Sequence, residues 1–334
     1  MSAYRPPPAE WQPIHSLLQA GLPQAMLAVG ESGTLVGPYC DDLQQVALCF
    51  APSAQGLSCG TCRSCRLLAE GNHPDLLVIT AEMGKRIAIE SVRYANDFLA
   101  FTPQVSVRRW LRIEPAEAMT VAAANALLKT LEEPAARAHI LLLSERPSQL
   151  LATIRSRLQK LPFPALRLGQ CVVWLEGQGI PPAEALLLSR QFANRPLRAW
   201  QLWECGWVTL RKTWIDTLLN LPRQGSIAAL RLADNWAKDT DLLLLRELML
   251  SLSADLLRLR SHHLDSIVHL DYLQSLEVMA QSAQETSLWE TLESWIRLPE
   301  SLVQNRNVGM MLETLLLSWV GIWSGERRAH GITS

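Results

Sequence analysis

Between Pro6 and Cys62 the sequence has no lysine and no arginine. Glu10, Glu31, Asp41 and Asp42 fall in the same stretch, so it is anionic as well as free of cations. A triphosphate carries roughly four negative charges at neutral pH, and such a surface repels it. The whole chain also lacks a charge excess: 31 Lys+Arg against 32 Asp+Glu leave a net charge of −1. That removes any global drive toward nucleic acid and leaves only local contacts. Long uncharged apolar runs are missing too. The leucine-dense "LLLLRELMLSLSADLLRLR" is broken by charges every few residues, so no membrane span is expected. "MSAYRPPPAEW" has none of the apolar run of a secretory signal. The expected compartment is the cytoplasm, where structural disulfides are rare. There is no internal repeat and no low-complexity tract.

What is present is enough to fold. The chain has 334 residues, 49% of them hydrophobic, which fits two or three domains with real cores. In the first half, apolar runs of strand length alternate with helical patterns. "AMLAV" (25–29), "LLVIT" (76–80), "WLRI" (110–113) and "HILLLS" (139–144) read as buried strands. "DDLQQVALCF", "SVRYANDFLAF" and "AAANALLKTLEE" read as helices between them, the last one stopped by Pro134. This alternation predicts a parallel α/β sheet with helices on both faces. After "LPFPALRL" (161–168) the strand signal ends and the pattern turns helical. Ten of the twelve tryptophans lie beyond residue 170, and they read as core rather than contact residues. Turn signals at "GIPPAE", "NRPL" and "LPRQGS" divide the chain into 1–165, a small helical unit at 166–205, and a larger helical domain at 206–334.

Four of the seven cysteines crowd into "CFAPSAQGLSCGTCRSC". Cys59, Cys62 and Cys65 form a C-x2-C-x2-C run, and Cys49 lies upstream. Two cysteines separated by two residues grip one ion from a single turn, and Gly60 eases that turn. Arg63 and Arg66 offset the excess charge of four thiolates. The reading is structural Zn2+ held by Cys49, Cys59, Cys62 and Cys65, since four thiolates leave no open coordination position for catalysis. A redox pair needs no third cysteine in register, and that alternative, like coincidence, is the weaker one. Cys40 and His73 compete with Cys49 for the fourth place. The bland reading of His73, a turn histidine, is preferred because an all-cysteine set is at hand. Cys171 and Cys205 read as buried apolar cysteines.

The first strand ends in "VGESG", which invites a phosphate-loop test. Counted from Gly30, the second glycine of G-x4-G-K-[ST] falls on Leu35, the lysine on Val36 and the hydroxyl on Gly37. Pro38 follows, with no N–H to offer. The glycines Gly30, Gly33 and Gly37 thus outline a degenerate loop. The acidic strand end that holds magnesium in such folds is interrupted by Pro115 and Ala116. Glu114 and Glu117 remain and read as surface acids. No ATP is expected to bind this chain.

"MTVAAANALLKTLEEP" (119–134) and "LLLSERPSQLLATIRSRLQKLPF" (141–163) resemble the signature segments of bacterial clamp-loader subunits of the AAA+ family. The cysteine cluster and "GNHPDLLVI" sit where that family has its zinc module. The likeness is dense over about residues 20–165 and rests on domain plan and length beyond. The gamma and tau members keep an intact phosphate loop. The delta-prime branch has lost it while keeping the zinc module and a Ser-Arg pair, and this sequence resembles that branch. The third residue of the family's Ser-Arg-Cys is Leu158 here.

The resemblance implies an AAA+-type α/β domain with a zinc module, a small helical lid and an all-α collar domain. It implies a five-subunit ring with gamma/tau and delta subunits that opens the sliding clamp and places it on primer-template DNA. It also implies that Ser156 and Arg157 present an arginine in trans to ATP held by a neighbour. The chain would be an accessory subunit of a DNA-directed DNA polymerase with no catalysis of its own. The bland reading of Arg157 is a surface or capping arginine. For Lys129, a solvated helix lysine and an interface role stand level. Arg108, Arg109 and Arg112 are poor candidates for DNA contact. Two other readings compete: an autonomous AAA+ ATPase with a divergent loop, which predicts ATP binding by the isolated chain, and a zinc-containing nucleic-acid binder, which predicts salt-sensitive DNA affinity.

Overall fold

The computed structural model describes residues 21–323 apart from 54–56, 82–84, 162, 164–165, 193–194 and 304–306. Glu10 lies outside the described residues. The chain packs as two compact units: residues 1–178 with 194–199, and residues 179–193 with 200–334.

The first unit is built on a parallel sheet of β1 (Ala25–Val29), β2 (Leu76–Thr80), β3 (Arg109–Glu114), β4 (Ala138–Ser144) and β5 (Gln159–Lys160), in the order β2-β3-β4-β1-β5. Every strand pairing is parallel. The four longer strands match the four expected apolar runs in position, but β2 is not the buried strand expected: it lies at the sheet edge, where only one neighbour pairs with it, and Val78 is exposed. β5 has two residues, too short for any periodicity to announce it. Helices α1 (Val36–Leu48), α2 (Arg63–Ala69), α3 (Ile89–Ala100), α4 (Val121–Glu132) and α5 (Ala152–Arg155) connect or follow the strands.

Because side chains alternate along a strand, one sheet buries two faces. Leu27, Leu111, Ile113, Ile140 and Leu142 pack with Val92, Ala95 and Leu99 of α3 and with Ala123 and Leu127 of α4. Met26, Ala28, Trp110, Leu141 and Leu143 pack with Val36, Tyr39, Cys40 and Leu43 of α1. Helices therefore cover both faces, as the near-continuous hydrophobic strands require. Thr120 caps α4, its hydroxyl accepting the Ala123 N–H at 3.2 Å.

Asp75, fully buried at the entry to β2, organises the turn before β3. Its carboxylate accepts the N–H groups of Gln104, Val105 and Ser106, each at 2.7 Å. Burial favours the neutral acid, but these amides win and hold Asp75 below the usual carboxylate range. Arg109 stacks over Phe98, with its guanidinium carbon 4.6 Å from the ring centre, and donates to the Phe98 and Thr102 carbonyls. Arg109 and Arg112 are both buried, which removes them as nucleic-acid contacts. Helix α6 (Leu168–Gly177) completes the first unit's long helices.

The second unit is helical: α7 (Pro182–Gln191), most of α8 (Pro196–Glu204), α9 (Trp207–Gln224), α10 (Ser226–Asp239), α11 (Leu242–Arg260), α12 (Leu273–Ser282), α13 (Glu285–Ile296), α14 (Leu298–Val303) and α15 (Val308–Gly321). Asp241 caps α11 by accepting the N–H groups of Leu243 and Leu244, and Asn307 caps α15 in the same way. Trp207, Trp214, Trp295 and Trp319 are buried, and the Trp319 indole N–H donates to the Leu218 carbonyl at 3.0 Å. Trp289, in contrast, is exposed.

The turn between α11 and α12 is held by a buried polar network. Arg211 forks onto Asp271 with two contacts of 2.7 Å and also meets His269 Nδ1. Asp255 accepts the N–H groups of Val268 and His269. Among the described residues no helix is long and apolar enough to cross a membrane.

Candidate functional site

The cysteines come together as the spacing predicts. α1 ends at Leu48, so Cys49 leaves the helix in extended backbone and turns toward Cys59, Cys62 and Cys65. Cys62 caps α2, its sulfur accepting the Cys65 N–H at 3.4 Å. The four Sγ atoms lie within 4.8 Å of one another, with Cys49 to Cys59 at 3.5 Å and Cys59 to Cys65 at 3.9 Å. Tetrahedral thiolates about 2.3 Å from one ion stand about 3.8 Å apart, so the donor set fits a metal. The amides fit it too. The Cys59 N–H points at Cys49 Sγ (3.3 Å) and the Cys62 N–H at Cys59 Sγ (3.4 Å), which favours the thiolate form that a metal needs. The amides of Thr61 and Cys62 pull the Cys59 thiol down to about 6, and burial pushes Cys65 up to about 12.

The two competitors for the fourth position are engaged elsewhere. Cys40 is fully buried in the α1 face of the core. His73 is buried beside the cluster and bonded to other groups. Its Nδ1 accepts the Asp75 N–H at 3.0 Å, and Nε2 meets Ser64 Oγ at 2.9 Å. The Ser64 hydroxyl donates onward to the Leu48 carbonyl at 2.7 Å. With Nδ1 accepting, Nε2 carries the proton, and burial holds His73 below its ordinary pKa. Of the two remaining cysteines, Cys171 is buried and Cys205 is exposed. The expectation for Cys205 is thereby corrected: it stands in the turn after α8, where no core closes over it.

A cleft of about 240 Å³ opens at the carboxyl ends of β1, β3 and β4, where open α/β sheets hold ligands. Gly30, Gly33, Thr34, Gly37, Glu114 and Leu197 are among its walls. Its loop is turned inward. The Gly30 N–H donates to the Ser144 carbonyl at 3.1 Å, extending the β1–β4 ladder. Val36 packs so tightly over Gly30 that a Cβ there would meet its Cγ2 at 2.2 Å. Gly33 has φ +82° and a carbonyl that accepts the amides of Leu197 and Arg198. α1 begins without a side-chain cap, and Pro38 in its first turn supplies no donor.

The cleft's electrostatics are acidic, with Glu31, Glu114 and Glu145 on its walls. Arg112 is spent internally, on Asp41 and, at 2.6 Å, on Glu114. Burial, reinforced by Asp41, lifts Asp42 to about 6. Glu114 and Glu117 are half-buried, not surface acids: Glu117 Oε1 accepts the N–H groups of Glu145 and Arg146, both at 3.0 Å. Their partners lie in other segments, so position alone made them look free. Sequence reading also missed Arg198. A Cβ on Gly33 would meet that of Arg198 at 2.6 Å, so the residue that directly follows "NRPL", which reads as a linker, packs on this loop.

Arg157 follows α5, with its side chain about one-third exposed. Its Nε donates to Glu132 Oε1 at 2.8 Å, and Nη2 lies 2.5 Å from the same oxygen. Nη1 donates to the Thr153 carbonyl at 2.9 Å and to Ser156 Oγ at 3.4 Å. The Ser156 hydroxyl itself donates to Thr153. Lys129 is exposed on α4.

Residues 10–167 match the family model described as "DNA polymerase III, delta subunit", and residues 206–321 match "DNA polymerase III, delta subunit, C terminal". The DNA polymerase III subunit delta' of Pseudomonas aeruginosa is 34% identical over 307 residues, covering 89% of this chain and 92% of the relative. Its counterpart in Bacillus subtilis is 27% identical, covering 91% and 92%. A gamma subunit-related protein of Thermotoga maritima aligns in structure with a TM-score of 0.48 at 20% identity, covering 92% of this chain and 99% of that one. The Pseudomonas match, at 34% identity over nine-tenths of both chains, places the chain in the delta-prime family of DNA polymerase III subunits.

Proposed function

We propose that this chain is a subunit of the DNA polymerase III clamp loader that binds no ATP itself and serves hydrolysis in a neighbouring subunit. It assembles in the cytoplasm with gamma/tau and delta subunits into a five-subunit ring that loads the sliding clamp onto primed DNA. Residues 1–165 are its AAA+-type domain, 166–205 a lid and 206–334 a collar. Cys49, Cys59, Cys62 and Cys65 hold a structural Zn2+ that ties the end of α1 to α2.

The observation that carries the reading is the contrast between two sites on one sheet. The cleft beside Gly30, Gly33 and Gly37 has carboxylate walls, a hydrophobic Val36 where a lysine belongs, and an internally paired Arg112. Arg157, by contrast, stands at the surface with its guanidinium partly open. A guanidinium offers two parallel N–H bonds to phosphate oxygens, and an arginine donated in trans speeds NTP hydrolysis by about 10³–10⁵. Ser156 supports it from the preceding position. On this reading Glu114 and Glu117 are structural, and no step of phosphoryl transfer takes place in this chain's own cleft.

The test is reconstitution with gamma and delta subunits, comparing wild type with Arg157→Ala. The variant is expected to assemble normally and to lose the clamp-stimulated ATP turnover that depends on this subunit. Normal assembly with unchanged turnover refutes the trans-arginine assignment. Separately, the isolated chain is expected to show no saturable ATP binding by calorimetry, and binding there would favour an autonomous ATPase.

A further inference from the structure

The Arg157 contacts carry one step more. We propose that Glu132 is a positioning residue that aims the Arg157 guanidinium, an inference that rests on reading Arg157 as the trans arginine. Glu132 is the last residue of α4, and Arg157 lies 25 positions downstream, beyond β4 and α5. An arginine side chain carries about 2 kcal/mol of rotamer freedom. A finger that swept freely would have to lose that freedom each time a neighbour's phosphate arrived.

Here it is fixed beforehand. Glu132 Oε1 takes the Nε–Nη2 edge, while the Thr153 carbonyl and Ser156 Oγ take Nη1 from another direction. Contacts from two sides define the plane of the fork. Each terminal nitrogen carries two N–H groups, so Nη2, with one partner, keeps a donor for an incoming anion. The carboxylate also does this without burying a charge, since Glu132 is half-exposed. An ordinary surface ion pair uses one contact and contributes little. This one restrains a single guanidinium through three partner residues.

The α4 helix is itself fixed. Its Leu127 and Leu131 lie in the sheet core, and the Asn96 side-chain amide of α3 donates to the Ala126 carbonyl at 2.9 Å. Glu132 thus refers the position of Arg157 to the sheet, the same frame that fixes the rest of the domain.

The experiment compares wild type, Glu132→Ala, Glu132→Gln, Arg157→Ala and the double variant in the reconstituted clamp-loader complex. The readouts are kcat and KM for ATP in the presence of clamp and primer-template DNA, with assembly followed by gel filtration. The share of kcat lost in Arg157→Ala defines what the arginine supplies. Misplacement of a reacting group by about 1 Å costs up to about 100-fold, so Glu132→Ala is expected to lower that share at least tenfold, with KM and assembly unchanged. Glu132→Gln keeps an acceptor oxygen and is expected to retain at least half of it. The double variant should match Arg157→Ala.

If Arg157→Ala abolishes its share while Glu132→Ala keeps it, the positioning role is overturned and the trans arginine stands. Turnover rising in Glu132→Ala overturns it as well, since Glu132 would then be a restraint. A loss in Glu132→Gln equal to that in Glu132→Ala overturns placement through the acceptor oxygen. If Arg157→Ala removes nothing, the trans-arginine reading itself falls, and this inference with it. Glu132 is half-exposed at a helix end, so its replacement leaves the core untouched.

Discussion

Acidification should loosen the helical second unit through one residue, His269. This imidazole is fully buried. Its Nδ1 accepts from Arg211, with Nη2 at 2.6 Å and Nε at 3.2 Å, and Nε2 meets Ser251 Oγ at 2.9 Å. A second proton on Nδ1 would put an N–H against a guanidinium. Burial first, and Arg211 second, therefore push the His269 pKa down to about 3. An unfolded histidine titrates near 6.5. The sign follows: below pH 6.5 the unfolded chain takes up a proton that the folded unit refuses, so stability falls as pH falls and stops falling near 3. Each pH unit in that window costs about 1.4 kcal/mol, hence about 2 kcal/mol between pH 6.5 and 5.

Other groups in the network titrate as well. Burial raises Asp255, and Asp271, although burial works the other way, is held low by Arg211. The comparison must therefore be internal. Glutamine at 269 presents an acceptor to Arg211 and a donor to Ser251 but has no proton to gain. Urea unfolding of the full chain is followed by tryptophan fluorescence, since nine of the twelve tryptophans lie in the second unit. With a urea slope of about 2 kcal/mol/M, wild type should lose about 1 M more in midpoint than His269→Gln between pH 7.5 and 5. Equal losses in the two proteins would refute the argument.

Cys59→Ser should abolish stoichiometric zinc, measured by atomic absorption on purified protein, whereas Cys40→Ser and His73→Gln should keep one equivalent. Zinc retained in Cys59→Ser would remove the four-thiolate assignment. Asp75→Ala leaves three N–H groups, that of Ser106 buried, without their carboxylate and should cost about 3 kcal/mol. It should also expose the amides of Gln104, Val105 and Ser106 to rapid hydrogen exchange. Protection unchanged at those three positions would contradict the role given to Asp75.

The sequence made legible whatever depends on local period or spacing. β1, β3 and β4 were plain because both faces of each are covered, which writes a continuous apolar run; β2 carries the same apolar run at the sheet edge with Val78 exposed. The cysteine set was plain because three ligands share one short turn. What stayed hidden depends on partners distant in the chain. Glu114 and Glu117 look like surface acids until Arg112 and the amides of Glu145 and Arg146 are placed beside them. Leu197 looks like part of a linker until its amide closes on the Gly33 carbonyl. The Glu132–Arg157 pair gives no pattern at all, because an ion pair across 25 residues has no period.

Val36 limits what one substitution could add to this cleft. It is 1% exposed and packs among Met26, Tyr39 and Leu141. A lysine placed there would bring an uncompensated ammonium into hydrocarbon, at a cost of several kcal/mol. It would also meet a loop whose Gly30 amide is already engaged by the Ser144 carbonyl. A single exchange at Val36 would therefore not turn this loop into a triphosphate cradle, because the buried position, the engaged Gly30 amide and Pro38 would all have to change together.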